Sequence, residues 1–265
     1  MELSGKLIFT CGNGLCSLDL NSLSIKEIIK YKGPMALQTS VSLFDDKVLI
    51  DSRGRLKKID LITGGEQDLF AGEYPYYAAT HDYLFFYRWS NENKTRKLVA
   101  KKMKAGTELV TLTIYMKPFK INDLFIERVP PVQISDDEVL FIGNDFSLNC
   151  YNMATGESVS LGIKNIQPFI YRSKTGQVLC FDYSNIRWLL FSPDDKNTTY
   201  IDDPPLFYTP VAYIPDKDIM IYTTDELSPS GLEEISFVMA FDFESGIKKK
   251  LIHGQGTFGA VWINE

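Results

Sequence analysis

Short runs of β-branched and aromatic residues alternate along the chain with clusters of Gly, Asn, Asp, Ser and Thr. The pattern is cleanest over residues 130–164. Val139, Leu140, Phe141 and Ile142 form an apolar run. Ser135, Asp136 and Asp137 bound it on one side, and Gly143, Asn144 and Asp145 on the other. Such a run between turn-formers predicts a buried strand. Residues 148–153 predict the next strand, ended by Thr155 and Gly156, where glycine accepts the positive φ of a turn. In 158–163, Val159, Leu161 and Ile163 alternate with polar positions, the period of a strand with one buried face. Residues 131–134 supply a short first strand, so the stretch predicts a four-stranded antiparallel meander.

The rest of the chain repeats it. Residues 6–19 align without a gap on 47–60: Lys6 with Lys47, Leu15 with Leu56, Asp19 with Asp60. Outer strands follow at 25–31 and 66–70. A third copy runs from Tyr76 through strands at 83–89, 98–103 and 108–115, with a longer inner hairpin over 90–94. The fifth has strands at 169–171, 178–183, 188–191 and 198–201. The sixth has them at 211–214, 219–223, 237–243 and 248–252, with an elaborate loop over 225–234. Residues 116–129 fit no copy and are expected to form a long loop or a short helix. The first copy lacks an innermost strand, and residues 259–265 form an orphan apolar strand after the sixth. The C-terminal strand is therefore expected to complete the first copy. The chain has no convincing 3.6-residue apolar stripe, which argues against α/β folds.

Over its full length the chain resembles a six-bladed β-propeller. Residues 221–225, Ile-Tyr-Thr-Thr-Asp, are similar to the Tyr-Trp-Thr-Asp strand of one propeller group, with Thr223 where that group has Trp. The Gly-His…Trp-Asp signature of WD40 repeats is absent. The resemblance implies an all-β fold in a single domain spanning 1–265. Its blades lie at about 259–265 plus 6–31, 35–72, 76–115, 130–164, 169–202 and 210–253. The C-terminal strand closes the first blade, and closure removes exposed sheet edges.

Composition narrows the class of function. At 265 residues, 45% hydrophobic and 23% charged, the chain is an ordinary globular one. A formal charge of −6 argues against a nucleic-acid binder, which needs a basic footprint. No run is apolar and long enough to span a bilayer as a helix. The N-terminal MELSGKLIFTCGNG has neither a basic n-region nor a cleavage site. A soluble, cytoplasmic, monomeric protein without membrane contact is expected. Cys11 and Cys16 flank Gly12, Asn13, Gly14 and Leu15, a turn that sets the two cysteines directly opposite each other. In a reducing compartment they are expected as packed thiols, although their approach admits a bridge. Cys150 and Cys180 read as core.

In a propeller, the loops from each outer strand to the next inner strand gather on one face. Here they carry Tyr74, Tyr76, Tyr77, Phe119, Phe169, Phe207, Tyr208 and Phe258 among Pro75, Pro118, Pro168 and Pro205. Any one ring has a plainer reading, packing between blades. As a set on stiffened loops they make a contact surface of low entropic cost. The loops between second and third strands add Arg53, Arg55, Arg88, Lys94, Arg96 and Lys97, and on the sixth copy Asp225, Glu226, Glu233 and Glu234. Charged loops serve solubility. As a site they imply a protein partner, acidic or of mixed charge. The candidate partner-binding residues are Tyr74, Tyr76, Tyr77, Phe119, Phe207, Tyr208, Phe258, Arg53, Arg55 and Arg96. The lysines of 94–104 read as a solvated strand face rather than a nucleic-acid track.

Catalytic signals are sparse. There are two histidines and no Gly-x-Ser-x-Gly elbow, zinc spacing or phosphate loop. The inner positions Gln38, Thr39, Thr80, Gln133, Tyr171 and Tyr213 are uncharged, unlike a calcium cage. No catalytic residue, metal or cofactor is expected. The first reading is a non-enzymatic binding scaffold such as an adaptor, inhibitor or immunity-type protein. The alternative is a hydrolase, lactonase or lyase drawing on His253, Asp182 and Asp225 at the channel mouth.

Overall fold

The computed structural model describes residues 2–11, 14–30, 40–92, 94–104, 109–115, 120–121, 124–125, 129–201, 209–227, 234–253 and 259–264. Among these, six antiparallel four-stranded sheets follow one another along the chain, the blades of a six-bladed β-propeller.

Blade 1 contains β1 (Lys6–Cys11), β2 (Gly14–Asp19) and β3 (Ile25–Lys30). Blade 2 contains β4 (Val41–Phe44), β5 (Lys47–Ser52), β6 (Arg55–Asp60) and β7 (Glu66–Ala71). Blade 3 contains β8 (Glu73–Ala78), β9 (Tyr83–Ser90), β10 (Thr95–Lys102) and β11 (Leu109–Tyr115). A separate pair, β12 (Lys120–Ile121) and β13 (Leu124–Phe125), follows. Blade 4 contains β14 (Val132–Gln133), β15 (Glu138–Ile142), β16 (Ser147–Asn152) and β17 (Glu157–Lys164). Blade 5 contains β18 (Ile166–Arg172), β19 (Gln177–Asp182), β20 (Arg187–Phe191) and β21 (Thr198–Tyr200). Blade 6 contains β22 (Thr209–Ile214), β23 (Ile219–Leu227), β24 (Glu234–Asp242) and β25 (Lys248–His253). The last strand, β26 (Ala260–Ile263), joins blade 1 in the order β26-β1-β2-β3.

That junction bears out the expected closure. Lys6, Leu7, Ile8 and Phe9 pair with Ile263, Trp262, Val261 and Ala260. Trp262 Nε1 donates to Ser4 O at 3.0 Å. Gly5 lies between these contacts at φ +85°, where a Cβ would stand 2.5 Å from Ile263 O. Only glycine fits that backbone and that clearance.

The chain divides into two compact units. The first is Met1–Arg53, Lys57–Asp68 and Phe207–Glu265; the second is Gly54–Leu56 and Leu69–Leu206. In the first, Leu7, Phe9 and Leu18 pack with Ile219, Ile221, Val238 and Ala240. Ile8 and Leu15, on the other face of blade 1, pack with Val48, Ile50 and Ile59. In the second, Phe85, Tyr87 and Leu98 meet Val139, Phe141 and Tyr151. Leu140 and Leu148 meet Val178, Cys180 and Leu189. β15 is apolar on both faces because Val139 and Phe141 pack on one side and Leu140 on the other, which is why 139–142 reads as a continuous apolar run.

Strands three and four of blades 1, 2, 4 and 6 are joined by one side-chain device. Asp19 Oδ1 accepts from the N–H groups of Asn21 and Ser22. Asp60, Asn152 and Asp242 do the same for the residues two and three ahead. A short acceptor side chain here copies a backbone turn.

Three details differ from the sequence reading. Cys11 pairs with Gly14, and Cys16 pairs with Phe9. Two residues therefore connect β1 to β2, the preferred hairpin length. The two cysteines are diagonal rather than opposite, share one face, and form a disulfide with Cα atoms 5.9 Å apart. They are not the reduced thiols expected. Residues 116–129 contain the β12–β13 pair, neither a bare loop nor a helix. Blades 3, 5 and 6 begin at Glu73, Ile166 and Thr209, up to three residues earlier than the turn spacing suggests. In each the innermost pair carries a register shift that a simple alternation does not show.

Candidate functional site

The described part of the site is built on blade 3. β8 opens with Glu73 opposite Tyr87, then shifts register before Tyr76 meets Phe85. Tyr74 sits in that bulge at φ 53°. Its ring meets Tyr87 edge-on, centroids 6.0 Å apart. Tyr76 is half-buried and donates its hydroxyl to Gln133 Oε1 at 3.0 Å. Burial pushes its phenol up from the ordinary value, and the backbone of Gln133 pulls it partly back. Tyr77 is buried and donates to Asp82 Oδ1 at 2.8 Å. Gln133 Nε2 continues the chain to Thr80 Oγ1, and that hydroxyl donates to Asp136 O at 2.7 Å. The three tyrosines thus lie in a strand, not a loop, and most of their surface supports the fold. Pro168 and Phe169 likewise belong to β18. Phe119, Phe207, Tyr208 and Phe258 lie outside the described residues.

The basic candidates stand nearer to solvent. Arg53 and Gly54, at φ 54° and 74°, form the tip between β5 and β6, and Arg53 and Arg55 are exposed. Two consecutive positive φ values are those of a type I′ hairpin, whose twist matches its strands. Gly72 N donates to Gly54 O at 2.9 Å, tying this tip to the start of β8. Next along β8, Glu73 holds Arg96, whose Nη2 lies 3.2 Å from both carboxylate oxygens.

Arg96 faces Trp89 across β9–β10, its guanidinium 5.5 Å from the indole centroid. Trp89 is 44% exposed, whereas Trp188 is 3% exposed. An exposed indole backed by a cation is the chemistry enriched at binding hot spots. Trp89 falls within 83–89, where the sequence reading saw only an apolar strand. The signal available was its place at the end of that run, just before Ser90, Asn91 and Glu92. The opposite face of the hairpin pairs Arg88 with Lys97, and Ser90 with Thr95. Further from the tip, Lys101 and Lys102 lie over the rings of Phe70 and Tyr83, at 4.5 and 5.5 Å.

The residues considered for catalysis are engaged locally. Burial pushes the Asp182 carboxyl up. Hydrogen bonds from Tyr200, Asn185 and Ser184 outweigh that and hold it below the usual range. Asp225 accepts from Ser236 Oγ, and His253 packs edge-on against Phe237. Burial, with Glu138 nearby, pushes the Cys150 thiol up to about 12, and burial lifts Cys180 as well. Among the described residues, no group of three or more His, Cys, Asp or Glu is placed to hold a metal ion. Among the described residues, no helix is long and apolar enough to cross a membrane.

No protein-family model matches the chain. No curated protein matches it by sequence. Among solved structures it is similar to TolB from Acinetobacter baumannii, at 13% identity and a TM-score of 0.74, over 100% of this chain and 68% of that one. It is also similar to a chain of a nidogen/laminin complex, at 12% identity and 0.64, over 97% and 98%. Oligogalacturonate lyase from Vibrio parahaemolyticus aligns at 14% identity and 0.57, over 94% and 75%. At these identities the likeness establishes the fold alone.

Proposed function

We propose that the protein is a non-enzymatic binding scaffold that captures another protein with the hairpin tips of blades 2 and 3. The observation that carries this is Trp89, exposed on the β9–β10 hairpin with Arg96 stacked on it and Glu73 fixing Arg96. A rigid indole and a pre-oriented guanidinium lose little entropy on binding. Arg55, in the same compact unit, extends the same chemistry at the blade 2 tip. Tyr74 and Tyr76 stiffen β8 beneath it. The partner suited to this surface is acidic or of mixed charge. One of the similar structures is a protein–protein complex, that of nidogen with laminin, which is consistent with such use of the fold. The corresponding test is capture from the native host. Trp89→Ala is expected to lose the bound protein while keeping the wild-type melting temperature within a few degrees, because the side chain is removed from the surface. Equal capture by wild type and variant excludes the reading.

A further inference from the structure

One face of the β9–β10 hairpin has a peculiarity that solubility does not explain. Arg88 and Lys97 are direct cross-strand partners, and Ser90 and Thr95 are the next pair on the same face. Like charges directly opposite in an antiparallel pair are destabilising. Among the described residues, no carboxylate bridges to Arg88 or Lys97, and Glu92 at the tip makes no ion pair. Thr95 is only 7% exposed, yet among the described residues its hydroxyl has no hydrogen-bond partner. Ser90 lacks one as well among the described residues. A buried hydroxyl without a partner costs about 1–3 kcal/mol. Two cations and two hydroxyls are therefore left facing the same way, on a chain whose net charge is −6.

We infer that Arg88, Lys97, Thr95 and Ser90 form an oxyanion seat that takes a carboxylate from an acidic segment of the protein partner. The inference rests on the binding reading above and specifies its chemistry. An anion between Arg88 and Lys97 turns their repulsion into two charge-assisted contacts. The Thr95 and Ser90 hydroxyls donate to its second oxygen. Trp89 and Arg96, on the opposite face, are left to meet the partner's apolar surface. The commitment to a carboxylate rather than a nucleic-acid phosphate follows from the rest of the hairpin. The nearby Lys101 and Lys102 are laid over Phe70 and Tyr83, so no lysine track continues along β10 for a phosphate backbone to follow.

The test uses the full chain and three labelled probes, read by fluorescence anisotropy at low and moderate salt. The probes are a synthetic decapeptide alternating Glu with Ala, its Gln counterpart, and a single-stranded DNA decamer. The Glu peptide is expected to bind at least about tenfold tighter than the Gln peptide, the equivalent of one charge-assisted contact. The double variant Arg88→Gln/Lys97→Gln is expected to abolish the difference. Thr95→Val is expected to weaken the Glu peptide by about threefold while raising the urea midpoint, because it removes a hydroxyl left unsatisfied in the free protein. A merely structural Thr95 would move stability downwards and leave the affinity alone. Equal binding of the Glu and Gln peptides, undiminished binding by the double variant, or tighter binding of the DNA overturns the inference. If Trp89→Ala loses the native partner and the double variant keeps it, the scaffold reading stands and the oxyanion seat falls. If neither variant loses it, both fall.

Discussion

Two residues show how the backbone rations its side chains. Arg53 holds φ 54° at the first position of a type I′ turn, a conformation that favours Asn or Gly. Arg53→Asn is expected to raise stability by about 0.5–1 kcal/mol, read as a higher urea midpoint at unchanged slope. A lower midpoint contradicts the turn assignment. Gly5 is the converse case. Gly5→Ala sets a Cβ against Ile263 O and Trp262, and is expected to cost at least about 1–3 kcal/mol. Neither demand was legible in the sequence. Arg53 occupies the slot aligned with Gly12 and carries no turn signature of its own, and Gly5 precedes the first recognisable strand.

At the scale of the element, the four-stranded repeat was readable because blades 1, 2, 4 and 6 carry the same punctuation. The Asx turns at Asp19, Asp60, Asn152 and Asp242 recur at one place in the meander. What stayed hidden were the register shifts. Tyr74, Pro75 and Tyr76 look like a loop because the β8 bulge breaks their alternation, yet they form the inner strand of blade 3. Trp89 reads as the end of an apolar strand, as it is, but its exposure beside the tip is not visible in that run. The depressed carboxyls yield a pH prediction. Asp182 lies below the usual range, so its contribution is complete above the unfolded-state value near 4 and is lost as pH falls through the folded one. Asp182→Asn is expected to flatten the loss of stability between neutral and acid pH relative to wild type, as followed by urea titrations at each pH. Parallel curves contradict the assignment of that acid sensitivity to Asp182.

At the scale of the molecule, closure of blade 1 by β26 was foreseen from an orphan apolar strand, and the pairing of Lys6 to Phe9 with Ile263 to Ala260 realises it. Beside it, Cys11 and Cys16 form a bridge where a reducing compartment would favour packed thiols. Replacing both cysteines by serine is expected to cost about 2 kcal/mol by the chain-entropy relation for so short a loop. A midpoint unchanged by the double substitution, or by a strong reductant, contradicts a structural role. The central claim is that protein capture is localised on the hairpin tips of blades 2 and 3. It is tested most directly by hydrogen–deuterium exchange of the full chain with and without its captured partner. The account predicts slowed exchange over residues 88–97 and 53–55, with blade 6 strands 219–227 and 234–242 unchanged. Protection confined to blade 6, or none at 88–97, would contradict it.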